Sequence, residues 1–261
     1  MNRKLKLLTL FFLPVLFAGC IRMNSTVYVK KDGSGTLETK VLMSGMLIAM
    51  MNEFSSSMDS TEKFSLLDEE ELRNNAAMMG EGVRFISASE ITEGDMQGYL
   101  ALYEFDDIKK LRIEPNPDNV MPADESTAEE NKEFLTFNFV PGDEAVLTIR
   151  FPDKEPEENT DADTTSEFGS GEETMMQMMK DFRFNIQLVV DGKITNTNAS
   201  RFEESKVTLL DIDFGKIMEN KENFKTLMKD NPSSIEEMKE YVKMIPGFFI
   251  ELNNPVEVRF N

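Results

Sequence analysis

Apolar residues recur along this chain with two periods, two and about 3.6, and the switches between them predict its elements. Val27 and Val29 alternate with Tyr28 and Lys30, and Leu37, Thr39, Val41 and Met43 alternate with Glu38, Lys40 and Leu42. Asp32-Gly33-Ser34-Gly35 lies between the two runs, and glycine accepts the positive φ of a tight turn, so the pattern predicts a β-hairpin. Leu47, Met51, Phe54 and Met58 then step by four, three and four, one face of a helix starting near Ser44. A second helix is signed by its start: Asp68 and Glu71 have capping-box spacing, Leu67 and Leu72 staple spacing, and Gly80 stands where a helix ends. Its buried face is predicted to be Leu72, Ala76 and Met79.

Alternation returns at Val83, Phe85 and Ser87, at Tyr99, Ala101 and Tyr103, and at Leu135, Phe137 and Phe139. Glu93 to Asp95 and Pro141 to Glu144 read as turns, the latter leading into a strand over Ala145 to Phe151. The cleanest run is Phe182, Phe184, Ile186, Leu188 and Val190 against Arg183, Asn185 and Gln187, a strand with one buried and one solvated face. Asp191-Gly192 turns the chain back, and Val207 to Phe214 is a further strand. Ser234 and Glu237 form a second capping box, Ile235, Met238, Val242 and Ile245 make a helical stripe, and Pro246-Gly247 stops it. Residues 248–252 and 256–260 alternate again. Hairpins with clustered helices predict an α+β fold. The expected form is helix-grip-like: a curved antiparallel β-sheet packed against a long C-terminal helix, with two helices after an N-terminal hairpin. In that arrangement the Phe182–Leu188 face looks inward, opposite the Ile235–Ile245 stripe.

The N-terminus has a different pattern. Arg3, Lys4 and Lys6 precede an apolar run over Leu5 to Ala18, and Ala18 and Gly19 precede Cys20. This is the order of a secretory signal peptide, and the run is shorter than the roughly 20 residues of a spanning helix. Phe17-Ala18-Gly19-Cys20 resembles the lipobox of bacterial lipoproteins, although the leucine usual at the first position stands one place earlier, at Leu16. The resemblance implies a diacylglycerol on the Cys20 thiol, cleavage before it and acylation of the new amine. Acyl chains bury about 0.8 kcal/mol per methylene, and more than one is needed for firm anchoring. The expected organisation is a signal peptide over 1–19, a lipidated N-terminus and short linker over 20–25, and a single α+β domain over 26–261. Ile21 follows the cysteine, so by analogy with lipoprotein sorting the cell envelope is the expected location, on the periplasmic face of the outer membrane if the cell has two membranes.

Charge changes the picture by excluding partners. The 261 residues hold 48 acids and 28 bases, for a net charge of −20. Nucleic acid is excluded, since its binders need a basic face. Residues 114–133 carry seven acids and one lysine, residues 152–173 nine acids and one lysine, and the two stretches hold five of the ten prolines. Both are predicted to be acidic mobile loops.

Two stretches in order, Val27 to Glu38 and Asp191 to Leu209, resemble the LppM-type bacterial lipoprotein domain. The resemblance implies a sheet-and-helix lipoprotein module, with lipid binding proposed for some relatives.

Candidate chemistry is sparse. There is no histidine, and the single cysteine is assigned to lipid, which excludes histidine general acid–base work, Cys-His nucleophiles and Cys/His zinc sites. No phosphate-binding glycine loop is present. Asp161, Asp163, Thr165, Glu167 and Glu172 have the spacing of a calcium loop, but Ser166 stands where that loop needs glycine, so the stretch reads as a solvated acidic loop. Met175, Met176, Met178 and Met179 offer core packing, an adaptable lining for an apolar ligand, or soft Cu(I) ligands. No resident metal, cofactor or enzymatic activity is expected. The principal expectation is a membrane-anchored lipoprotein whose domain binds an apolar, lipid-like ligand along Phe182, Phe184, Ile186, Leu188, Met238, Val242, Met175 and Met178. The alternative is a non-catalytic module docking an envelope protein. An enclosed apolar cavity above roughly 300 Å³ favours the first, and a filled core favours the second.

Overall fold

The alternating runs assemble into two sheets in the computed structural model, which describes residues 21–57, 65–115, 134–152, 180, 182–220, 222–223 and 235–261; the side chains of 54–57 and 235–239 lie outside that description. In the larger, eight-stranded sheet, β1 (Ile21–Val29) pairs with β2 (Gly35–Ser44) through the predicted hairpin. β2 pairs with β4 (Met96–Phe105), and β4 with β3 (Val83–Glu93), which ends the sheet. On the other side of β1 come β7 (Arg183–Val190), β10 (Lys206–Asp213) and β11 (Phe248–Ile250), with the short β9 (Phe202–Glu203) also on β10. The smaller sheet is β5 (Thr136–Val140), β6 (Ala145–Arg150), β12 (Val256–Phe260) and β8 (Ile194–Thr197), in that order.

Four helices are described. α1 (Gly45–Ser57) follows β2 directly. α2 (Glu69–Met78) starts as predicted, the Asp68 carboxylate accepting the Glu70 and Glu71 N–H groups, and buries Leu72 and Ala76. Gly80 takes φ +132 just beyond it. α3 (Phe214–Met218) is a single turn capped by Asp213, and α4 (Ile235–Met244) precedes β11.

The α+β class holds, but the larger sheet and its cover differ from the expected form. The larger sheet is mixed, because β1 and β7 run parallel, Met23 opposite Phe184 and Val27 opposite Leu188. Period two is the same in parallel and antiparallel strands, and turn signals reveal only neighbours in sequence. The main cover is a second sheet. Leu147, Ile149, Val256, Val258 and Phe260 are wholly buried in one core with Val27, Ile186 and Leu188. α4 is described over ten residues, and its Tyr241, with Ile245 just beyond its end, packs with Ile217 of α3 in a separate small cluster. A ten-residue helix is too short to cover a face that many strands wide, whereas four alternating strands present a matching apolar face. β1 begins at Ile21, so residues 21–25 are strand.

Candidate functional site

Phe184, Ile186 and Leu188 of β7 are 2%, 0% and 0% exposed. A void able to take a ligand would leave accessible surface on its lining, so these side chains are packed core. Phe182, at the start of the strand, is half-buried and meets the Phe214 ring edge-on with centroids 5.4 Å apart. Val242 on α4 is half-buried. Tyr241, its neighbour in sequence, packs with the cluster of Ile217 and Ile245. The structure therefore brings three of the predicted site residues together, as core. Met238's side chain, Cys20, Met175, Met178 and the calcium-like run from Asp161 to Glu172 lie outside the described residues, as do most of the two acidic stretches.

Two surface depressions are present, of about 310 and 210 Å³. The first lies where Gly80 and Glu81 meet Lys109, Lys110 and Arg112, and Lys110 is paired with Glu81 at 2.9 Å. The second lies between Ile48 of α1, Leu66 and Leu67, and Ile91 and Gly98 of the β3–β4 hairpin. Neither touches β7, and charged or backbone groups supply much of each wall.

The strongest polar constellation surrounds Glu251, which is 2% exposed. Its Oε1 accepts the Ser200 hydroxyl at 3.0 Å, the Leu252 and Asn253 N–H groups at 2.9 Å each, and the Asn253 side-chain amide at 2.9 Å. Its Oε2 accepts the Ser200 N–H at 2.5 Å. Ser200 beside a buried carboxylate has the outline of a nucleophile and base. Both carboxylate oxygens are taken up by these five hydrogen bonds, however, and they tie the 198–200 loop to the 251–253 loop. Asp213 is a second such anchor, capping α3 through the Lys216 N–H and pairing with Arg183 at 3.3 Å. Burial raises the phenols of Tyr99, up to about 12, and of Tyr103, the Glu71 charge adding to both. Among the described residues no group of three or more acids is placed to hold a metal ion, and no helix is long and apolar enough to cross a membrane.

One accessible feature is built by the topology. Among the described residues, β3 is an eleven-residue strand with a ladder partner, β4, on one side only. Beyond that ladder the single backbone hydrogen bond it makes among the described residues is from the Val83 N–H to Gly80. Ser87, Ser89, Glu90, Thr92 and Glu93 are exposed, and the register slips at Ile86 between Phe85 and Ser87. Sequence reading placed a strand here without finding that it is an edge. The available signal was its composition, small and acidic where an interior strand is branched and apolar.

No family model matches the chain, and no curated protein matches it. Among solved structures it is similar to the folded domain of LppM from Mycobacterium tuberculosis, determined by NMR, at 10% identity over 94% of this chain and 91% of that one, with a TM-score of 0.37.

Proposed function

We propose that the protein is a lipoprotein of the bacterial cell envelope, anchored through Cys20, whose domain catalyses nothing and docks an extended segment of another envelope protein along β3. The observation that carries the reading is the combination of a sealed β7 face and an open β3 edge. The burial of Phe184, Ile186 and Leu188 supports looking for the binding surface elsewhere. The open edge presents backbone donors and acceptors over eleven residues, and an added strand takes its affinity from such groups and its specificity from alternate side chains. Glu90, exposed on that strand, favours a segment carrying Lys or Arg, while Glu93 is held by Lys40.

The test is made in cells. A photoreactive residue at Ser89 is expected to crosslink the full-length protein to a discrete partner, whereas one at Thr26, in the sheet interior, is not. Loss of the Ser89 adduct on replacing Ala88 by proline, with the fold retained, ties it to the strand edge. Equal adducts at both positions, or co-purified lipid in stoichiometric amount by native mass spectrometry, would return the carrier reading to the front. Cys20→Ser is expected to release the protein from the membrane fraction.

A further inference from the structure

The registers of the larger sheet place one set of residues in a common end row. Ile21 is opposite Met43, Ser44 opposite Met96, Arg22 opposite Arg183, Asp213 opposite Arg183, and Ile212 opposite Phe248. Three of the four helices connect to that row: α1 follows Ser44, α3 follows Asp213, and α4 ends just before Phe248. The first residue of β1 is also there, one peptide bond after Cys20. A trans peptide spans about 3.8 Å between Cα atoms, so a lipid on Cys20 leaves no tether between the bilayer surface and this end of the sheet.

The same end exposes methionines on both sides of β1. Met46 and Met50, one turn apart on α1, are 57% and 42% exposed, and Met244 at the end of α4 is 59% exposed. In sheet order β1 lies between them, with β2 and α1 on one side and β7, β10, β11 and α4 on the other. The half-buried Phe182, Phe214, Met218 and Phe248 lie on the Met244 side. Three described basic residues there are paired, Arg183 and Lys216 with Asp213 and Lys243 with Glu240, and the chain is strongly acidic overall. Attraction to anionic headgroups is therefore not the main force available, and apolar contact is. Methionine suits it, being flexible and polarizable.

We propose that this end of the sheet rests on the membrane, with Met46 and Met50 on one side of the anchor and Met244 on the other inserted among the lipid headgroups, so that the domain stands at a fixed orientation. The inference rests on lipidation of Cys20. The occupant is a lipid surface, chosen because Ile21, the residue bonded to Cys20, stands in the same end row as the patch. The orientation holds the β1–β2 turn and the exposed Tyr28, Val140 and Phe202 away from the bilayer.

The test uses the full-length protein, purified from bacterial membranes and reconstituted in phosphatidylcholine vesicles. Single cysteines replace Met46, Met50 or Met244, or Tyr28, Val140 or Phe202 as distal controls, and each carries a nitroxide label; Cys20 does not react if lipid occupies its thiol. At 46, 50 and 244 the label is expected to be several-fold less accessible to a water-soluble nickel chelate than at 28, 140 and 202, and correspondingly more accessible to oxygen. The protection is expected to persist in high salt and to vanish in the unanchored Cys20→Ser protein. Equal nickel accessibility at both ends, with Cys20 shown to be lipidated by mass spectrometry of the N-terminal peptide, overturns the orientation and leaves the lipoprotein reading standing. An unlipidated Cys20 overturns both.

Discussion

Met23 and Phe184 are register partners across the parallel β1–β7 ladder, 7% and 2% exposed, at the point where the first strand of the domain meets one that follows it by more than 150 residues. Parallel neighbours need a long crossover, and here the crossover contains β2 to β6. The pair joins the two halves of the chain through packed side chains. Phe184→Ala is expected to cost about 3–5 kcal/mol, the range for truncating a large buried aromatic that its neighbours cannot replace. Equilibrium denaturation checks it. A loss below about 1 kcal/mol would mean that a void already adjoins the ring.

Glu251 gives the second prediction. Removing its carboxylate leaves the Ser200, Leu252 and Asn253 N–H groups without their acceptor in a site 2% exposed. Glu251→Ala should destabilise by about 2–4 kcal/mol, since buried donors lose a charged partner. Glu251→Gln should cost less, because its carbonyl oxygen still accepts part of the set. Thermal unfolding of both variants checks the order, and equal losses would show that packing dominates over hydrogen bonding here.

Most strands and the Asp68 cap were legible because each is written locally. The Asp68 cap, the Phe184–Ile186–Leu188 alternation and the turn after Val190 depend on residues a few places apart. What was not legible depends on distant partners. Nothing near Val27 says that Leu188 will lie beside it in parallel, and nothing near Phe184 says that strands ending at Phe260, and not the Ile235–Ile245 helix, will cover it. Period two reports that a strand has an apolar face and is silent on what seals that face. The packing of Phe184, Ile186 and Leu188 was not legible for the same reason: a packed core and a ligand cavity have the same alternating signature. The edge position of β3 and the exposure of Met46 and Met50 follow from the assembled sheet order.

Alkaline stability gives a third prediction. The Tyr99 phenol is raised to about 12 by burial, with the Glu71 charge adding to it, while in the unfolded chain it ionises near 10. Between these values the unfolded state has released its proton and the folded state has not. Stability is therefore fully present below pH 10 and falls as pH rises toward 12. Tyr99→Phe should remove about 1–3 kcal/mol of that decline, allowing for solvent screening at a partly accessible ring. Tyr103 is shifted the same way, so part of the slope remains. Denaturation midpoints at pH 9 and 11 for the two proteins check it, and an unchanged slope would assign the decline to other groups.

Gly98 gives the last prediction. It lies in β4 between Leu42 of β2 and Ile91 of β3, in ordinary extended pairing without a positive φ. A methyl group there would sit 1.8 Å from the Val41 carbonyl oxygen and 2.9 Å from the Leu42 Cα. Both obstacles are backbone of the neighbouring strand, so no side chain can swing aside, and the β2–β4 ladder itself must open. Gly98→Ala should therefore cost at least the 1–3 kcal/mol typical of overpacking, about the upper end of that range. Gly45 supplies the control. Its added methyl would meet the Asp95 carbonyl at 3.6 Å, ordinary contact, and it starts α1, where alanine is the better helix former. Gly45→Ala should be neutral or slightly stabilising. Chemical denaturation of the two variants side by side decides it: similar midpoints would mean that β2 and β4 are not held as closely as this register requires.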